Sequence, residues 1–230
     1  MGAGLADFAA KQLKAKRVAI IDDRTAYGQG IVKLFEAAAL ERDVKIVDKQ
    51  YTSDKATQFA PILTAIKGHK PDAIFFGGMD AQAGPILRQM SQLAMNQTQF
   101  LGGDAQCSER LPVMADKAPA LKNVVCVMSG SSLAKMPGGT AWKQKYDQRF
   151  PGQYQVYSPY AYDATMVLAQ AMLSADSAQA EAYLPRLRQT RHDGVTGTIA
   201  FDSQGELQNP RVTLYGYDSG ERKELVISGH

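Results

Sequence analysis

The sequence predicts an α/β fold with a parallel, doubly wound sheet, and three observations predict it. Short apolar runs alternate with longer segments of helical period over roughly the first half of the 230 residues. The runs 18–21 and 73–78 are apolar throughout, as strands covered on both faces of a parallel sheet are. The helical segments between the runs, of about 11–14 residues, suit right-handed crossovers between parallel strands.

The elements are predicted in chain order from these periods and from the turn residues between them. In the first half, helices are predicted at 4–14, 30–41, 58–68 and 82–95, with a short helical stretch near 108–116. Strands are predicted at 18–21, 45–51, 72–78, 100–104 and 124–127. A Gly/Ser/Pro-rich crossing at 129–140 is interpreted as a linker or hinge. Helices at 140–149, 159–175 and 177–189 follow, then strands at 195–202 and 212–217 and a last short strand.

Two helix boundaries have specific signals. Gly68 suits the left-handed position after a last helical turn, and Ser158 followed by Pro159 at the first helical position indicates a helix start. After residue 130 the three helices have almost no strands to cover. Their apolar faces therefore need a partner, either the first domain or a sheet that this sequence lacks.

Composition excludes several classes of protein. The chain is 45% hydrophobic and 21% charged, as in ordinary soluble proteins, and no apolar run approaches the roughly 18 residues that span a bilayer. A net charge of +3 without a Lys/Arg block argues against a nucleic-acid partner. The start, Met-Gly-Ala-Gly-Leu-Ala-Asp-Phe, lacks the pattern of a signal peptide and is interpreted as artificial or truncated.

The residues that carry catalytic or metal chemistry are not grouped in any recognised pattern. Asp22 and Asp23 resemble paired acids for hydrolysis or Mg²⁺ binding, but no nucleophile with a base, phosphate loop or dinucleotide fingerprint accompanies them. His69, His192 and His230 have no ligand spacing. We therefore expect no enzymatic activity, no metal and no cofactor.

The two cysteines leave alternatives open. Cys107 and Cys126 are compatible with a disulfide, a free pair or redox ligands, and their spacing favours none of these. They lie just after one predicted strand and within the next, near enough for a disulfide in an oxidising compartment. Two buried free thiols are the alternative.

The polar turn after the first strand is where a ligand site is expected. In open α/β sheets, ligands bind outside the carboxyl ends of the strands, which directs attention to residues 22–27. This turn also begins a series of motifs that run in one order along nearly the whole chain: Lys16-Arg-Val-Ala-Ile-Ile-Asp-Asp-x-x-x-Tyr-Gly-Gln-Gly30, Asp72-Ala-Ile-Phe-Phe-Gly-Gly78, Ile86-Leu-Arg-Gln89, Phe100-Leu-Gly-Gly-Asp104, Tyr160-Ala-Tyr-Asp-Ala164 and Gly197-Thr-Ile-Ala-Phe-Asp-x-x-Gly205.

In these motifs the sequence resembles the type I periplasmic binding proteins, specifically the branched-chain amino-acid (Leu/Ile/Val) receptors of ABC importers. The resemblance implies a flavodoxin-like lobe with a parallel doubly wound sheet, plus an incomplete second lobe. Residues 1–128 and 211–230 correspond to the C-terminal lobe, and 129–210 to the returning part of the N-terminal lobe. The opening strands of that N-terminal lobe are expected to be absent.

The resemblance also implies site residues. Asp104 takes the place of the acid, usually Glu, that pairs with the ligand's ammonium, and its alternative role is a helix N-cap. Tyr27 matches an aromatic that covers the ligand, and otherwise packs on the surface. Met79 stands where many members carry a second aromatic. Gly78 and Asp80 are the remaining candidates for ligand contact, and the alternative for the glycines is a structural role in the turn.

The implied function is capture of branched-chain or related amino acids by hinge closure, followed by delivery to a membrane permease of an ABC transporter. The parent protein is then periplasmic. Alternatives are a sensor domain of the same fold that feeds signalling, and a flavodoxin-like enzyme. The sheet edge and helices left uncovered also predict a homodimer through the incomplete lobe.

Overall fold

The chain divides into two compact units. The structure, a computed structural model, describes residues 1–229, and side chains as far as residue 225. Unit 1 comprises Met1–Ser129 and Val212–Ser228, and unit 2 comprises Gly130–Arg211. The assignment of 1–128 and 211–230 to one receptor lobe and of 129–210 to the other stays a prediction, and residue 230 lies outside the described residues.

Helices and strands alternate along unit 1, as the periods predict. The helices of the chain are α1 (Gly2–Lys11), α2 (Ala26–Leu40), α3 (Ala60–Gly68), α4 (Asp80–Gln92), α5 (Leu111–Met114), α6 (Gly139–Arg149), α7 (Ser158–Ala175) and α8 (Ala180–Arg188). The strands are β1 (Arg17–Asp22), β2 (Lys45–Tyr51), β3 (Ala73–Gly77), β4 (Gln99–Gly102), β5 (Val124–Ser129), β6 (Arg191–Asp193), β7 (Thr198–Ala200), β8 (Arg211–Asp218) and β9 (Glu221–Gly229). Within residues 1–229, no helix is long and apolar enough to cross a membrane.

Unit 1 is built on a seven-stranded sheet of order β2-β1-β3-β4-β5-β8-β9. Strands β1 to β5 pair in parallel, whereas β8 pairs with β5 in antiparallel fashion. The strand order reverses on either side of β1, so the loops after β1 and β3 leave the sheet in opposite directions. The predicted mostly parallel α/β sheet is confirmed, and it is extended beyond β5 by the antiparallel β8 and then by β9.

Helices cover both faces of this sheet. On one face, Val18, Ile20 and Phe75 join a core with the apolar residues of α1 and α2, where Phe35 stacks on Phe75 at 4.1 Å between ring centroids. Neighbouring strand residues point to opposite faces, so Phe76 lies on the other face, 6.1 Å from the ring of Phe100. Helices α3 and α4 bury their own apolar residues: Leu63, Ile66, Ala83, Ile86, Leu87 and Met90.

The start of α3 is capped by a side chain from α4. The N-cap residue of α3 is Phe59, which has no side-chain oxygen to offer. Instead, Oε1 of Gln89 accepts hydrogen bonds from the backbone N–H groups of Phe59 (2.7 Å) and Ala60 (2.8 Å), and its Nε2 donates to Thr57 O (2.9 Å). Gln89 thereby satisfies two orphan donors of one helix and ties it to the next.

Unit 2 contains α6, α7, α8 and a two-stranded β6–β7 sheet. The turn between β6 and β7 is held by Asp163, a buried residue of α7. One carboxylate oxygen accepts from Val195 N (2.9 Å), and the other accepts from the N–H (2.7 Å) and hydroxyl (2.6 Å) of Thr196. A buried carboxylate with three donors is well compensated for its desolvation.

Two predictions of local structure are wrong and a third is confirmed. Helix α3 ends at Gly68 as predicted, but the left-handed residue is Lys70 (φ 48°) rather than Gly68, and His69 between them is right-handed. The predicted helix start is confirmed, because α7 begins at Ser158 with Pro159 in its first turn; the Ser158 hydroxyl accepts from Gln155 N (2.9 Å). The last strand is not short, because β9 has nine residues.

We predict that Gln89→Leu lowers the free energy of unfolding by about 1–2 kcal/mol, because two helix N–H groups lose their acceptor. Chemical denaturation followed by circular dichroism measures the change. Gln92→Leu, an exposed substitution at the end of the same helix, is the matched control and should leave stability nearly unchanged. Equal effects of the two substitutions would contradict the capping role.

Candidate ligand-binding site

The candidate residues lie at the carboxyl ends of three adjacent parallel strands. Tyr27 follows β1 in the first turn of α2, Met79 follows β3, and Asp104 follows β4. Because β1, β3 and β4 are neighbours in the sheet, their carboxyl ends form one continuous edge. This edge includes the reversal of strand order, which is where open α/β sheets bind ligands.

Hydrogen bonds within the loop after β1 hold Tyr27 in place. Oδ1 of Asp23 accepts from the N–H (2.9 Å) and hydroxyl (2.7 Å) of Thr25, which is the N-cap of α2 and in turn accepts from Gly28 N (2.9 Å). Oδ1 of Asp22 accepts from Arg24 N (2.7 Å). Both aspartates are buried and shape the loop, which gives the acid pair a structural role.

Tyr27 and Asp104 are in direct contact. The Tyr27 hydroxyl donates to Oδ1 of Asp104 (2.8 Å), and the N–H of Ala105 points to the same hydroxyl at 3.5 Å. The approach requires Gly103, since a Cβ there would collide with the Tyr27 hydroxyl and with Ile31. A phenol thus bridges the turns after β1 and β4, and it orients a partly buried carboxylate.

Asp104 also influences a positive charge of the chain itself. The α-amino group of Met1 is partly buried, and burial lowers its pKa. The negative charge of Asp104 opposes this shift, because it favours the charged ammonium. The carboxylate is therefore placed where it stabilises an α-ammonium group.

The other candidates are held by the segment 106–108. Oδ2 of Asp80, in the first turn of α4, accepts from the hydroxyl of Ser108 (2.7 Å). The carbonyl of Gly78 accepts from Nε2 of Gln106 (2.5 Å). Met79 has an extended backbone just before α4, with a side chain that is partly open to solvent. Tyr27 and Asp104 thus hold each other, whereas Asp80 and Gly78 are bound to the turn that follows Asp104.

A disulfide and two side chains from the last hairpin fix that turn. Cys107 and Cys126 are joined, with 5.4 Å between their Cα atoms, so the turn after β4 is tied to β5. The hydroxyl of Tyr217 donates to the carbonyls of Gln106 (3.0 Å) and Ser108 (2.7 Å), and burial raises the pKa of Tyr217, which keeps it a donor. Arg222 donates to the carbonyl of Cys107.

Sequence reasoning missed Gln106, Tyr217 and Arg222. Gln106 lies in a turn, and Tyr217 and Arg222 are distant in sequence from the turn that they contact. No periodicity in the sequence therefore indicates their roles. Within the described part of the chain, no group of three or more His, Cys, Asp or Glu side chains could hold a metal ion.

Comparison with known proteins agrees with the fold. A family model described as "Periplasmic binding protein" matches residues 1–221. An amino acid binding protein of Pseudomonas aeruginosa is 27% identical over 213 residues, covering 92% of this chain and 56% of the relative. A Leu/Ile/Val-binding protein of Rhizobium johnstonii is 27% identical over 219 residues, covering 94% of this chain and 58% of the relative.

Solved structures show the same fold. A leucine binding protein from Thermotoga maritima superposes with a TM-score of 0.87 at 24% identity, covering 98% of this chain and 64% of that chain. A branched-chain amino acid transporter substrate binding protein from Streptococcus pneumoniae, in complex with isoleucine, has a TM-score of 0.81 at 22% identity, covering 100% and 64%. A solute binding protein from R. palustris, in complex with benzoate, has a TM-score of 0.78 at 15% identity, covering 98% and 62%.

The chain belongs to the periplasmic binding protein family, with the type I fold that its motifs predict. The relatives that it matches are named for amino acids, mainly leucine, isoleucine and valine. The chain spans 56–58% of the length of the two curated relatives described above.

We predict that Tyr27→Phe lowers the free energy of unfolding of unit 1 by about 1 kcal/mol, because the Asp104 carboxylate loses a hydrogen bond while the ring remains. Denaturant unfolding measures the change. Tyr51→Phe is the control: Tyr51 is a half-exposed tyrosine whose ring faces Arg24, and removal of its hydroxyl should change stability little. A stability loss in Tyr51→Phe as large as in Tyr27→Phe would argue against the bridge.

Proposed function

We propose that the chain supplies one wall of an amino-acid site in a substrate-binding component of an ABC importer. The contact between Tyr27 and Asp104 at the carboxyl ends of β1 and β4 carries the proposal. It presents an oriented carboxylate and an aromatic ring side by side, which suits the α-ammonium and the side chain of an amino acid. Met79, Gly78 and Asp80 are proposed to line the same site.

Asp104 is proposed to bind the ligand's ammonium. A buried ammonium needs a carboxylate or several acceptors, since an unpaired buried charge is costly.

An aliphatic side chain is the proposed preference. The thioether of Met79 is flexible and polarisable, so it adapts to aliphatic groups of varied shape. Relatives named for leucine, isoleucine and valine support this preference. The relative that holds benzoate supports a second candidate, a carboxylate without an ammonium, for which Asp104 would be an unfavourable neighbour.

The proposed context is the periplasm. There, the complete receptor closes about a hinge on its ligand and delivers it to a membrane permease. The Cys107–Cys126 disulfide supports an oxidising compartment, because disulfides persist there and are rare in the cytosol. A sensor domain of the same fold is the alternative, and its partner would be an output protein rather than a permease. Family membership supports binding rather than catalysis, which leaves the flavodoxin-like enzyme as the weaker alternative.

We predict millimolar rather than micromolar binding of leucine to this chain, because the chain spans little more than half of its relatives. An NMR titration with leucine and with 4-methylpentanoate, which lacks the ammonium, measures both affinities. Asp104→Asn should weaken leucine binding about tenfold or more and abolish the preference for leucine over 4-methylpentanoate.

Asp54→Asn, which neutralises an exposed aspartate between β2 and α3, is the matched control and should change neither affinity. Micromolar or tighter binding of leucine would refute the expectation of a partial site. A preference for leucine that survives Asp104→Asn would refute the role of Asp104.

We also predict a homodimer through α7. The only acidic or basic residue of this 18-residue helix is the buried Asp163, and its large residues Tyr162, Leu168 and Leu173 are exposed. Light scattering after size exclusion should give a dimer mass for the chain and a monomer mass for Leu173→Glu. Leu40→Glu in α2, where the leucine is equally exposed (79%), is the control and should remain dimeric. A monomeric unsubstituted chain would contradict the prediction.

A further inference from the structure

A single buried amide joins the turns that carry the candidate ligand residues. Gln106 is fully buried, and its Nε2 donates to the carbonyl of Phe76 (3.1 Å), near the end of β3, and to the carbonyl of Gly78 (2.5 Å), just past it. Gln106 itself lies two residues after Asp104 in the turn that follows β4. Its side chain therefore connects the turn after β3 to the turn after β4.

The orientation of the amide is determined by its neighbours. Both groups that it faces are carbonyls, which accept hydrogen bonds and cannot donate them. An inverted amide would direct Oε1 at these oxygens, so the two bonds require the –NH₂ group on this side. Oε1 lies against Gly102, where a Cβ would collide with it. Gly102 thus provides the space that the amide needs.

The backbone of Gln106 is fixed as firmly as its side chain. Its N–H donates to Gly103 O (3.2 Å), and its carbonyl accepts from the Tyr217 hydroxyl (3.0 Å). The next residue, Cys107, donates its N–H to Asp104 O (3.0 Å) and is bound to Cys126 through the disulfide. The backbone that carries the Gln106 side chain is therefore held by hydrogen bonds and by the neighbouring disulfide.

Apolar packing alone does not account for a glutamine here. Its Oε1 is buried and has no hydrogen-bond partner in the described part of the chain, which costs free energy that a methionine of similar length would not incur. The compensating contribution is the pair of hydrogen bonds from Nε2. These bonds act between two turns, and it is the spacing of those turns that they set.

We propose that Gln106 is a positioning residue for ligand binding. It holds Gly78 and Met79 at a fixed spacing from Asp104, so that the proposed contacts to the ligand's side chain and to its ammonium are formed together. The ligand part of this inference rests on the proposed function. The fixed spacing of the two turns is a property of the protein without ligand.

The test compares Gln106→Met with Gln82→Met. Gln82 is also buried, its Nε2 donates to the carbonyl of Asp54, and its Oε1 likewise has no partner among the described residues. Gln82→Met thus removes a comparable buried amide, whose hydrogen bond goes to the loop between β2 and α3 rather than to either of the two turns. Hydrogen exchange of segments 76–80 and 102–108 is measured in the full chain, together with its thermal stability and its affinity for leucine.

We expect exchange in both segments to be at least tenfold faster in Gln106→Met than in Gln82→Met, at comparable loss of stability. We also expect leucine affinity to fall about tenfold in Gln106→Met only. If Gln106→Met does not fold, Gln106→Asn retains the amide one methylene shorter and should show the same faster exchange.

If hydrogen exchange in Gln106→Met is as slow as in Gln82→Met, the proposal is overturned, and Gln106 contributes only to packing of the core. Unchanged leucine affinity with faster exchange would overturn its role in ligand binding. If the unsubstituted chain shows no leucine binding at all, the proposed function fails, while the exchange comparison still decides whether Gln106 sets the spacing of the turns.

Discussion

The parallel pairing of β1, β3 and β4 is the constraint on which the rest of unit 1 depends. Parallel strands end on the same side of a sheet, so the residues after them are neighbours although 77 residues separate Tyr27 from Asp104. The same pairing leaves the backbone after each strand without sheet partners. Side chains or turns must satisfy those groups, because buried backbone polar groups are costly when unpaired.

The way in which these groups are satisfied forms the candidate site. Asp22 and Asp23 bond to the loop after β1, and Gln106 bonds to the carbonyls of β3 and its turn. Glycines at 102 and 103 admit the Gln106 amide and the Tyr27 hydroxyl, which no larger residue would allow. The stability of these turns and the geometry of the site therefore have the same cause. Binding residues on loops are best positioned by such a rigid scaffold.

Membership in the periplasmic binding protein family gives this geometry its functional context. An acid beside a phenol at a strand reversal suits many small cations, and the names of the relatives direct the proposal to aliphatic amino acids. The disulfide adds independent support for an oxidising compartment, and it also anchors the turn that carries Asp104. The same disulfide thus supports the proposed compartment and anchors one turn of the candidate site.

The sequence by itself determined the alternation of elements, and it directed the candidate site to the carboxyl ends of the parallel strands. Those features depend on periods of two and 3.6 residues and on turn residues next to them, which are local. It also suggested Tyr27 and Asp104, through motifs that stand in family order. The helix boundaries at Gly68 and Ser158 were predicted correctly from local signals, whereas the left-handed residue after α3 is Lys70 rather than Gly68.

Only the tertiary structure decided which partners these residues have. Nothing near Asp104 in the sequence indicates that Tyr27 bonds to it, or that Tyr217 and Arg222 reach its turn from the last hairpin. The choice between a disulfide and free thiols likewise required the pairing of β4 with β5. Contacts across a sheet follow from strand order, and strand order is set by the packing of helices on both faces, which no local pattern encodes.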